Sequence, residues 1–140
     1  MSDDCVFCKI AAGMIPSVKV HEDEHVLVFM DIGPVTKGHS LVIPKAHHDP
    51  IINVPVSLLQ KVIAVVQQVA RAQLDGLGAD GVNVTQANGE IAGQVIPHVH
   101  FHVIPRFKDD PHSWTCPQRK YDSDEEMGQY AARIKNAMKG

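Results

Sequence analysis

The stretch Ile96-Pro97-His98-Val99-His100-Phe101-His102-Val103-Ile104-Pro105 alternates three histidines with three apolar side chains. Strict period-two alternation predicts a β-strand, because successive side chains of a strand point to opposite faces of a sheet. The apolar members would enter the core, and the histidines would form a row on the other face with neighbours roughly 7 Å apart. An imidazole can be a nucleophile, an acid, a base or a metal ligand near neutral pH. We therefore interpret the row as a functional site and not as a polar strand face that happens to use histidine.

Length and composition define the class of protein. The 140 residues suffice for one domain that buries roughly two-thirds of its extended-chain surface. With 44% hydrophobic and 21% charged residues, the composition is that of an ordinary soluble globular protein. A net charge of −3 offers no basic surface for nucleic acid, and no apolar run approaches the roughly 20 residues that span a bilayer. The start of the chain lacks the features of a signal peptide, so we predict a cytoplasmic protein without nucleic-acid or membrane partners.

Two of the three cysteines, Cys5 and Cys8, form a C-x2-C pair in a short helix predicted over Cys5–Ala12. An odd number of cysteines in a reducing compartment argues against a disulfide framework. The spacing alone is consistent with half of a zinc site, a redox pair or two core cysteines, although a redox motif is expected near a βαβ pattern that this chain lacks. A metal site would need two further ligands, and the neighbouring His47 and His48 are by default surface residues.

The rest of the chain alternates predicted strands with two amphipathic helices. The strands are predicted over Pro16–Glu22, His25–Asp31, Ser40–Pro44 and Gly81–Thr85. The continuous apolar run Val26–Met30 favours a strand that is covered on both faces. A long helix starts at Pro55 and ends at Gly76 and Gly78, and it is interpreted as a packing element without chemistry. A capping-box pattern at Ser123 begins the final helix.

Two features beside the histidine row have both a plain and a functional interpretation. Asp31 closes a buried strand, where an acid is usually a turn former or cap but can also hold a pair of sugar hydroxyls. The glycine-bearing loop Ala87–Gln94 can bring backbone N–H groups close to a phosphate, or it can be ordinary turn chemistry. The residues alone leave both alternatives open.

The segment His98–Ile104 resembles the signature of the histidine triad (HIT) nucleotide hydrolases and transferases, in which single apolar residues separate three histidines and two apolar residues follow the third histidine. Further segments resemble family blocks in the family's order: Cys5–Ile10, Phe29–Ile32, Gly38–Lys45 and Asn88–Gln94. The resemblance covers residues 5 to about 107 and is strongest to bacterial and archaeal relatives of the Hint branch. The galactose-1-phosphate uridylyltransferase branch fits less well, since it typically has glutamine where His102 stands.

The resemblance implies an α+β fold, with a five-stranded antiparallel sheet, one long helix and short terminal helices. It implies pairing into a two-fold homodimer through a continuous ten-stranded sheet. Residues 1–107 would form the nucleotide-binding domain, and residues 108–140 a C-terminal tail and helix packed on the same domain. The implied ligand is a purine nucleotide or nucleotide conjugate.

The resemblance also implies roles for individual residues. His100 would be the nucleophile that takes up the α-phosphoryl group, His102 and His39 would contact the phosphate, and His102 would lie toward the leaving group. Cationic His39 or His102 and loop N–H groups would stabilise the transition state, so no catalytic metal is expected. The implied nucleotide-binding residues are Asp31 for the ribose, Phe7, Ile10, Phe29 and Ile32 for the base, and Asn88 and Gln94 along the phosphate. A structural zinc would be held by Cys5, Cys8, His47 and His98, since two thiolates and two imidazoles complete a tetrahedron with no open position.

The chain departs from the Hint pattern at Val95, where relatives usually carry a serine or threonine whose hydroxyl can reach the leaving group. The leading hypothesis is a hydrolase of nucleoside phosphoramidates or related conjugates that forms a nucleotidyl-histidine on His100. The alternatives are a dinucleoside polyphosphate hydrolase, a non-catalytic nucleotide-binding or scaffold protein, and a catalytic metal site formed by three histidines on one strand.

Overall fold

The computed structural model describes residues 4–113 and 116–138. Within these ranges the chain forms three α-helices, two short 3₁₀ turns and one five-stranded antiparallel sheet. Along the chain, the helices and strands are α1 (Val6–Ala11), β1 (Lys19–Glu22), β2 (Val26–Met30), β3 (Ser40–Pro44), α2 (Val56–Leu77), β4 (Gly81–Thr85), β5 (Phe101–Arg106) and α3 (Asp124–Ala137). Across the sheet the strand order is β1-β2-β3-β5-β4, and the predicted α+β class is confirmed.

Strand β2 lies between two apolar layers, as its continuous apolar run predicts. Val26 and Val28 pack in a cluster with the buried valines of α2, and Leu27 and Phe29 pack in a second cluster with α1. Alternate side chains of one strand therefore enter different layers, because the pleat sends them to opposite faces. The α1 layer also contains the candidate site.

The histidine stretch is only partly a strand. β5 begins at Phe101, so His98 and His100 precede it, and the N–H of Val99 donates to the carbonyl of His48 at 2.8 Å. The apolar members of the stretch are buried as predicted: Val99, Phe101 and Val103. His98 and His100 are also buried, so these histidines do not form a row on an open strand face.

Helix α2 runs from Val56 to Leu77, and Gly78 caps it in the left-handed conformation with φ of 67°. Gly76, predicted as an end residue, lies inside the helix. Two apolar side chains at helical spacing, Ile63 and Leu74, are exposed, whereas the polar side chain of Gln73 is buried. Helical spacing therefore predicts the position of this helix in the chain well, but it predicts only part of the buried face.

Helix α3 begins as predicted, because the Ser123 hydroxyl accepts the N–H of Glu126 at 3.1 Å. No residue of α3 is buried, so the single described chain does not show the predicted packing of this helix on the domain. In the described ranges, no helix is both long and apolar enough for a bilayer crossing.

Candidate active site and candidate metal centre

A cavity of about 440 Å³ opens between α1, the end of β2 and the loop before β5. Most of its wall is apolar. The predicted site residues that line it are Phe7, Ile10, Phe29, Asp31, Ile32, Gln94, His100 and His102. Sequence reasoning missed Ile15, Leu41 and Ile96, which also line it. Only Leu41 had a usable signal, since its predicted strand places it on the same face as Ile43.

The ring of His100 has its tautomer fixed by the backbone. Its Nδ1 lies 2.7 Å from the carbonyl oxygen of His98, and a carbonyl only accepts, so Nδ1 carries the proton. The neutral ring therefore has its unshared pair on Nε2. Burial lowers the pKa of His100 below its ordinary value, which favours this neutral form. Phe7 packs edge-on against the ring with centroids 5.0 Å apart, so a nucleophilic imidazole is held in the cavity wall.

His39 and His102 form a directed hydrogen-bonded pair. The backbone N–H of Val35 donates to Nδ1 of His39 at 3.1 Å, so the proton of neutral His39 is on Nε2. That N–H donates to Nδ1 of His102 at 2.9 Å, which leaves the proton of His102 on its own Nε2. His39 is 3% exposed and lies behind His102, outside the cavity lining.

The ligand-free site favours neutral rings for this pair, whereas the predicted cation, His39 or His102, concerns the transition state. Burial lowers the pKa of His102 to about 4, with the neighbouring His100 and His39 adding to the effect, and burial also lowers the pKa of His39. A cationic His39 would need a second proton on Nδ1, where the Val35 N–H already points. The three histidines are therefore neutral near pH 7 before a phosphate enters.

Asp31 forms the turn predicted for it and also lines the cavity. Its Oδ1 accepts the N–H of Gly33 at 2.8 Å, which forms the turn after β2. Its Oδ2 lies 3.5 Å from Nε2 of His39, and the residue lines the cavity. One carboxylate oxygen thus shapes the backbone while the other is available beside the cavity.

The two amides predicted along the phosphate are engaged within the protein. Gln94 donates to Asp49 Oδ1 at 2.6 Å and accepts the N–H of Gly89 at 2.7 Å. Asn88 accepts the N–H of Ile51 at 2.8 Å and is not among the residues that line the cavity. The structure therefore brings Gln94 to the cavity wall but not Asn88, and both side chains stabilise the loop that precedes β5.

A second cluster lies beside the cavity. The donor atoms of Cys5, Cys8, His47 and His98 all lie within 4.8 Å of one another. The sulfur-to-nitrogen distances are 3.3 Å for Cys5–His98, 3.3 Å for Cys8–His47 and 3.6 Å for Cys8–His98. A tetrahedral zinc with two sulfur and two nitrogen ligands requires separations of roughly 3.5 Å. Cys5 is also the N-cap of α1, and its sulfur accepts the Cys8 N–H, so the helix start directs both thiols to one point.

The tautomer of His98 suits a metal ligand. Its Nε2 lies 2.8 Å from the carbonyl oxygen of Pro44, so Nε2 carries the proton and Nδ1 faces the sulfurs with its unshared pair. Burial lowers the pKa of His98 to about 4, which keeps the ring neutral. Metal-bound histidines ordinarily donate their second N–H in this way. The four side chains could therefore hold a metal ion.

The tautomers and orientations of the histidine rings exclude two other metal arrangements. Donor atoms of Asp31, His39 and His102 also lie within 4.8 Å of one another, but Nε2 of His39 carries a proton and cannot ligate. The hypothesis of three metal ligands on one strand also fails, because the ring nitrogen of His98 faces the cysteines and not His100. The Cys/His cluster differs from both arrangements, because Nδ1 of His98 carries no proton and faces the sulfur atoms.

The sheet order, the cavity and the histidine pair define a histidine-triad domain. A family model described as HIT domain matches residues 12–109, and the chain belongs to the HIT family. It is 49% identical over 106 residues to the Bacillus subtilis (strain 168) protein named "Protein hit", covering 76% of this chain and 73% of that one. It is 43% identical over 102 residues to "Adenosine 5'-monophosphoramidase hnt1" of Schizosaccharomyces pombe, covering 73% and 74% of the two chains.

Solved structures give the same family. The crystal structure of a HIT-family member from Bacillus subtilis superposes with a TM-score of 0.92 at 40% identity and covers 99% of both chains. A zinc-bound histidine triad protein from Mycobacterium smegmatis superposes with a TM-score of 0.75 at 37% identity and covers 96% of this chain and 97% of that one.

Proposed function

We propose that the protein is a nucleotidyl hydrolase that cleaves purine nucleoside phosphoramidates or related nucleotide conjugates through a covalent nucleotidyl-His100. The observation that carries this proposal is the state of His100, a buried neutral imidazole in the cavity wall with Nδ1 tied to a carbonyl. Its free pair on Nε2 is a nucleophile, which binding alone does not require. The name of the fission-yeast relative supports the substrate class.

The cavity suits a purine nucleoside monophosphate moiety. Its volume of about 440 Å³ is within the range of small-molecule sites, and its walls are largely apolar. Phe7 and Phe29 meet edge-on with centroids 5.4 Å apart and form an apolar corner for the base, next to Ile32. We assign the ribose hydroxyls to Oδ2 of Asp31, the carboxylate oxygen that does not form the turn.

The proposed reaction has two steps. Nε2 of His100 forms a bond to the α-phosphorus, and the bond from phosphorus to the leaving nitrogen or oxygen breaks with the electron pair on the leaving group. We assign the hydrogen-bond donor for the leaving group to the Nε2–H of His102, whose Nδ1 is occupied by His39. Water then attacks phosphorus and releases one proton to solvent, which balances the proton that a leaving amine takes up from solvent in the first step. The bond to His100 breaks with its electron pair on Nε2, and the nucleoside monophosphate leaves with a neutral imidazole restored.

We also propose that Cys5, Cys8, His47 and His98 hold one structural zinc. The donor set, the distances and the Pro44 carbonyl behind His98 fit this ion, and the zinc-bound mycobacterial relative supports it. Zinc would supply a cross-link between α1 and the stretch before β5. Neither reaction step is assigned to it.

Pairing into a two-fold dimer remains a prediction. The sheet order leaves β1 and β4 as edge strands, and a continuous ten-stranded sheet needs one of them to pair with its copy.

The test of the proposed activity is a substrate panel combined with covalent trapping. Adenosine phosphoramidate, an adenylated amine, a dinucleoside polyphosphate and nucleoside monophosphate alone are incubated with the full chain. Rapid denaturation at alkaline pH preserves a phosphohistidine-type bond for peptide mapping by mass spectrometry. We expect a nucleotidyl adduct on His100 with the conjugates. Binding of the monophosphate without turnover or adduct for any conjugate would identify a nucleotide-binding protein instead.

Val95 favours a second candidate within the same chemistry, a dinucleoside polyphosphate hydrolase. The side chain lines the cavity, is 85% exposed at its mouth and has no hydroxyl. A phosphate leaving group needs little help to depart, whereas an amine needs a proton donor. Without the hydroxyl, the site is slower with amine leaving groups but not with phosphate leaving groups. Its preference for phosphoramidates over dinucleoside polyphosphates is therefore smaller.

Val95→Ser is expected to raise kcat/KM for phosphoramidates about tenfold relative to the dinucleoside polyphosphate, because one added hydrogen bond in the transition state is worth roughly 1–2 kcal/mol. The measurement is the ratio of kcat/KM for the two substrates. Ile91→Ser is the matched control, since Ile91 is a fully exposed residue of the same loop outside the cavity lining. An unchanged ratio in Val95→Ser would mean that leaving-group assistance comes from elsewhere, most directly from His102.

A further inference from the structure

Gln73 is a buried polar residue on the packed face of α2. It is 4% exposed and follows the buried valines Val62, Val65, Val66 and Val69 at helical spacing, where an apolar residue would continue the stripe. Its Nε2 donates to two backbone carbonyls, that of Gly38 at 3.1 Å and that of Val103 at 2.9 Å. One carboxamide nitrogen therefore links β5 to the segment that leads into β3.

These two segments carry the histidine pair of the cavity. Gly38 immediately precedes His39, and Val103 immediately follows His102. Ser40 with Val103 is the last registered pair of β3 and β5 at this end, so Gly38 lies just beyond the ladder. The Gln73 amide joins the two backbones where the ladder no longer does. On the other face of the sheet, the imidazoles of His39 and His102 meet at 2.9 Å.

Two features indicate that stability is sacrificed for this contact. Oε1 of Gln73 is buried and has no hydrogen-bond partner among the described residues, which is unfavourable for folding. Position 38 also needs glycine, because φ is +106° and a Cβ would lie 2.6 Å from Leu77 Cδ1 and 3.0 Å from Pro105 Cγ. The backbone at Gly38 thus adopts a conformation that other residues rarely take, close to the side chains of Leu77 and Pro105.

We infer that Gln73 is a positioning residue for the histidine pair. By holding the carbonyls of Gly38 and Val103, its two N–H groups keep Nε2–H of His39 directed at Nδ1 of His102. The proton of His102 then remains on Nε2, the nitrogen assigned to the leaving group. The effect on turnover rests on the proposed function, whereas the effect on the hydrogen bond between the two imidazoles does not.

Gln73→Met separates positioning from packing. Methionine has nearly the same length and volume but lacks both N–H donors and the unpartnered acceptor. We expect a melting temperature within about 5 °C of wild type, because the loss of two N–H donors is offset by the loss of the unpartnered acceptor. We also expect a KM within about twofold of wild type and a kcat lower by about tenfold, the effect of losing one aligned hydrogen bond. Val66→Ala is the control, because it removes core packing from the same stripe without touching either carbonyl, and it should lower the melting temperature but not kcat.

A second readout is independent of activity. The ¹H and ¹⁵N resonances of the His39 and His102 rings report which nitrogen carries each proton and whether the N–H exchanges with water. Wild type and Val66→Ala should show one tautomer for each ring and a protected Nε2–H on His39. Gln73→Met should show mixed tautomers for His102 and fast exchange of the Nε2–H of His39, although the Val35 N–H still fixes the tautomer of His39. Gln73→Leu serves if the methionine variant does not fold.

The inference is overturned if the Gln73 variants retain single tautomers, whether their kcat is that of wild type or falls only in parallel with the melting temperature. If wild type turns over no conjugate, the proposed activity fails, and the ring resonances still decide the role of Gln73.

Discussion

His100→Ala is expected to lower kcat by roughly a thousandfold or more, while the dissociation constant for a purine nucleoside monophosphate changes by less than about fivefold. In the proposed reaction the lost group supplies the atom that bonds to phosphorus, whereas the base and ribose are assigned to Phe7, Phe29 and Asp31, which line the cavity. Single-turnover kinetics with a phosphoramidate and calorimetric binding of the monophosphate measure the two quantities. A variant that keeps more than about a tenth of wild-type kcat would exclude a covalent step on His100.

Two further variants make this result specific. His100 is buried against Phe7, so alanine leaves a cavity. His100→Asn is a second, polar replacement, which has a carboxamide in place of the imidazole ring and leaves a smaller cavity. His25→Ala removes an exposed histidine whose ring lies 3.7 Å from Glu24, and it should leave kcat unchanged. Loss of turnover in both His100 variants, with melting temperatures above the assay temperature, would separate lost chemistry from lost folding.

The sheet core could be predicted because alternation is a property of a few neighbouring residues. Val99, Phe101 and Val103 are buried as their spacing requires, and the apolar run of β2 is covered on both faces. The beginning of β5 could not be predicted, since a strand starts where its backbone finds partners. The Val99 N–H finds the carbonyl of His48 in a loop, and no local pattern encodes that contact.

Protonation states are a second property that lies outside the sequence pattern. Whether His39 can be a cation depends on what faces its Nδ1, and the answer is the N–H of Val35, four residues away. The ligand-free structure therefore disfavours a cationic His39, and it places this residue behind His102, outside the cavity lining. The resemblance implies a role for each histidine, but only the hydrogen bonds show which ring nitrogen carries the proton.

Buried polar residues on the apolar stripe of a helix are a third property that the sequence pattern does not predict. Counting apolar positions finds α2 but passes over Gln73, because hydrophobic spacing gives no weight to a buried amide. Its partners are carbonyls 35 and 30 residues away in the chain, which a spacing argument does not bring together. A glutamine in register with buried valines was a readable signal that sequence reasoning did not use.

Cys8→Ser is expected to remove about one zinc per chain and to lower the free energy of unfolding by roughly 3–5 kcal/mol, or the melting temperature by about 10–15 °C. The reason is that metal binding free energy contributes to folding when the ligands come from distant segments, here α1, the loop at His47 and the stretch before β5. Metal analysis of protein made with ample zinc and calorimetric melting curves measure both effects. Cys116→Ser is the matched control, because Cys116 is an exposed thiol outside the cluster.

We expect Cys8→Ser to affect turnover, measured well below the melting temperature, less than it affects the free energy of unfolding. The His98 ring still donates to the Pro44 carbonyl without the metal, and its own carbonyl still holds Nδ1 of His100. The tautomer of the nucleophile is therefore maintained by hydrogen bonds that do not pass through the sulfur atoms. Zinc-free wild type with an unchanged melting temperature would refute the structural site. If a chelator abolished activity while the fold persisted, the metal would have a catalytic role, and the assignment of both reaction steps to His100 and His102 alone would be wrong.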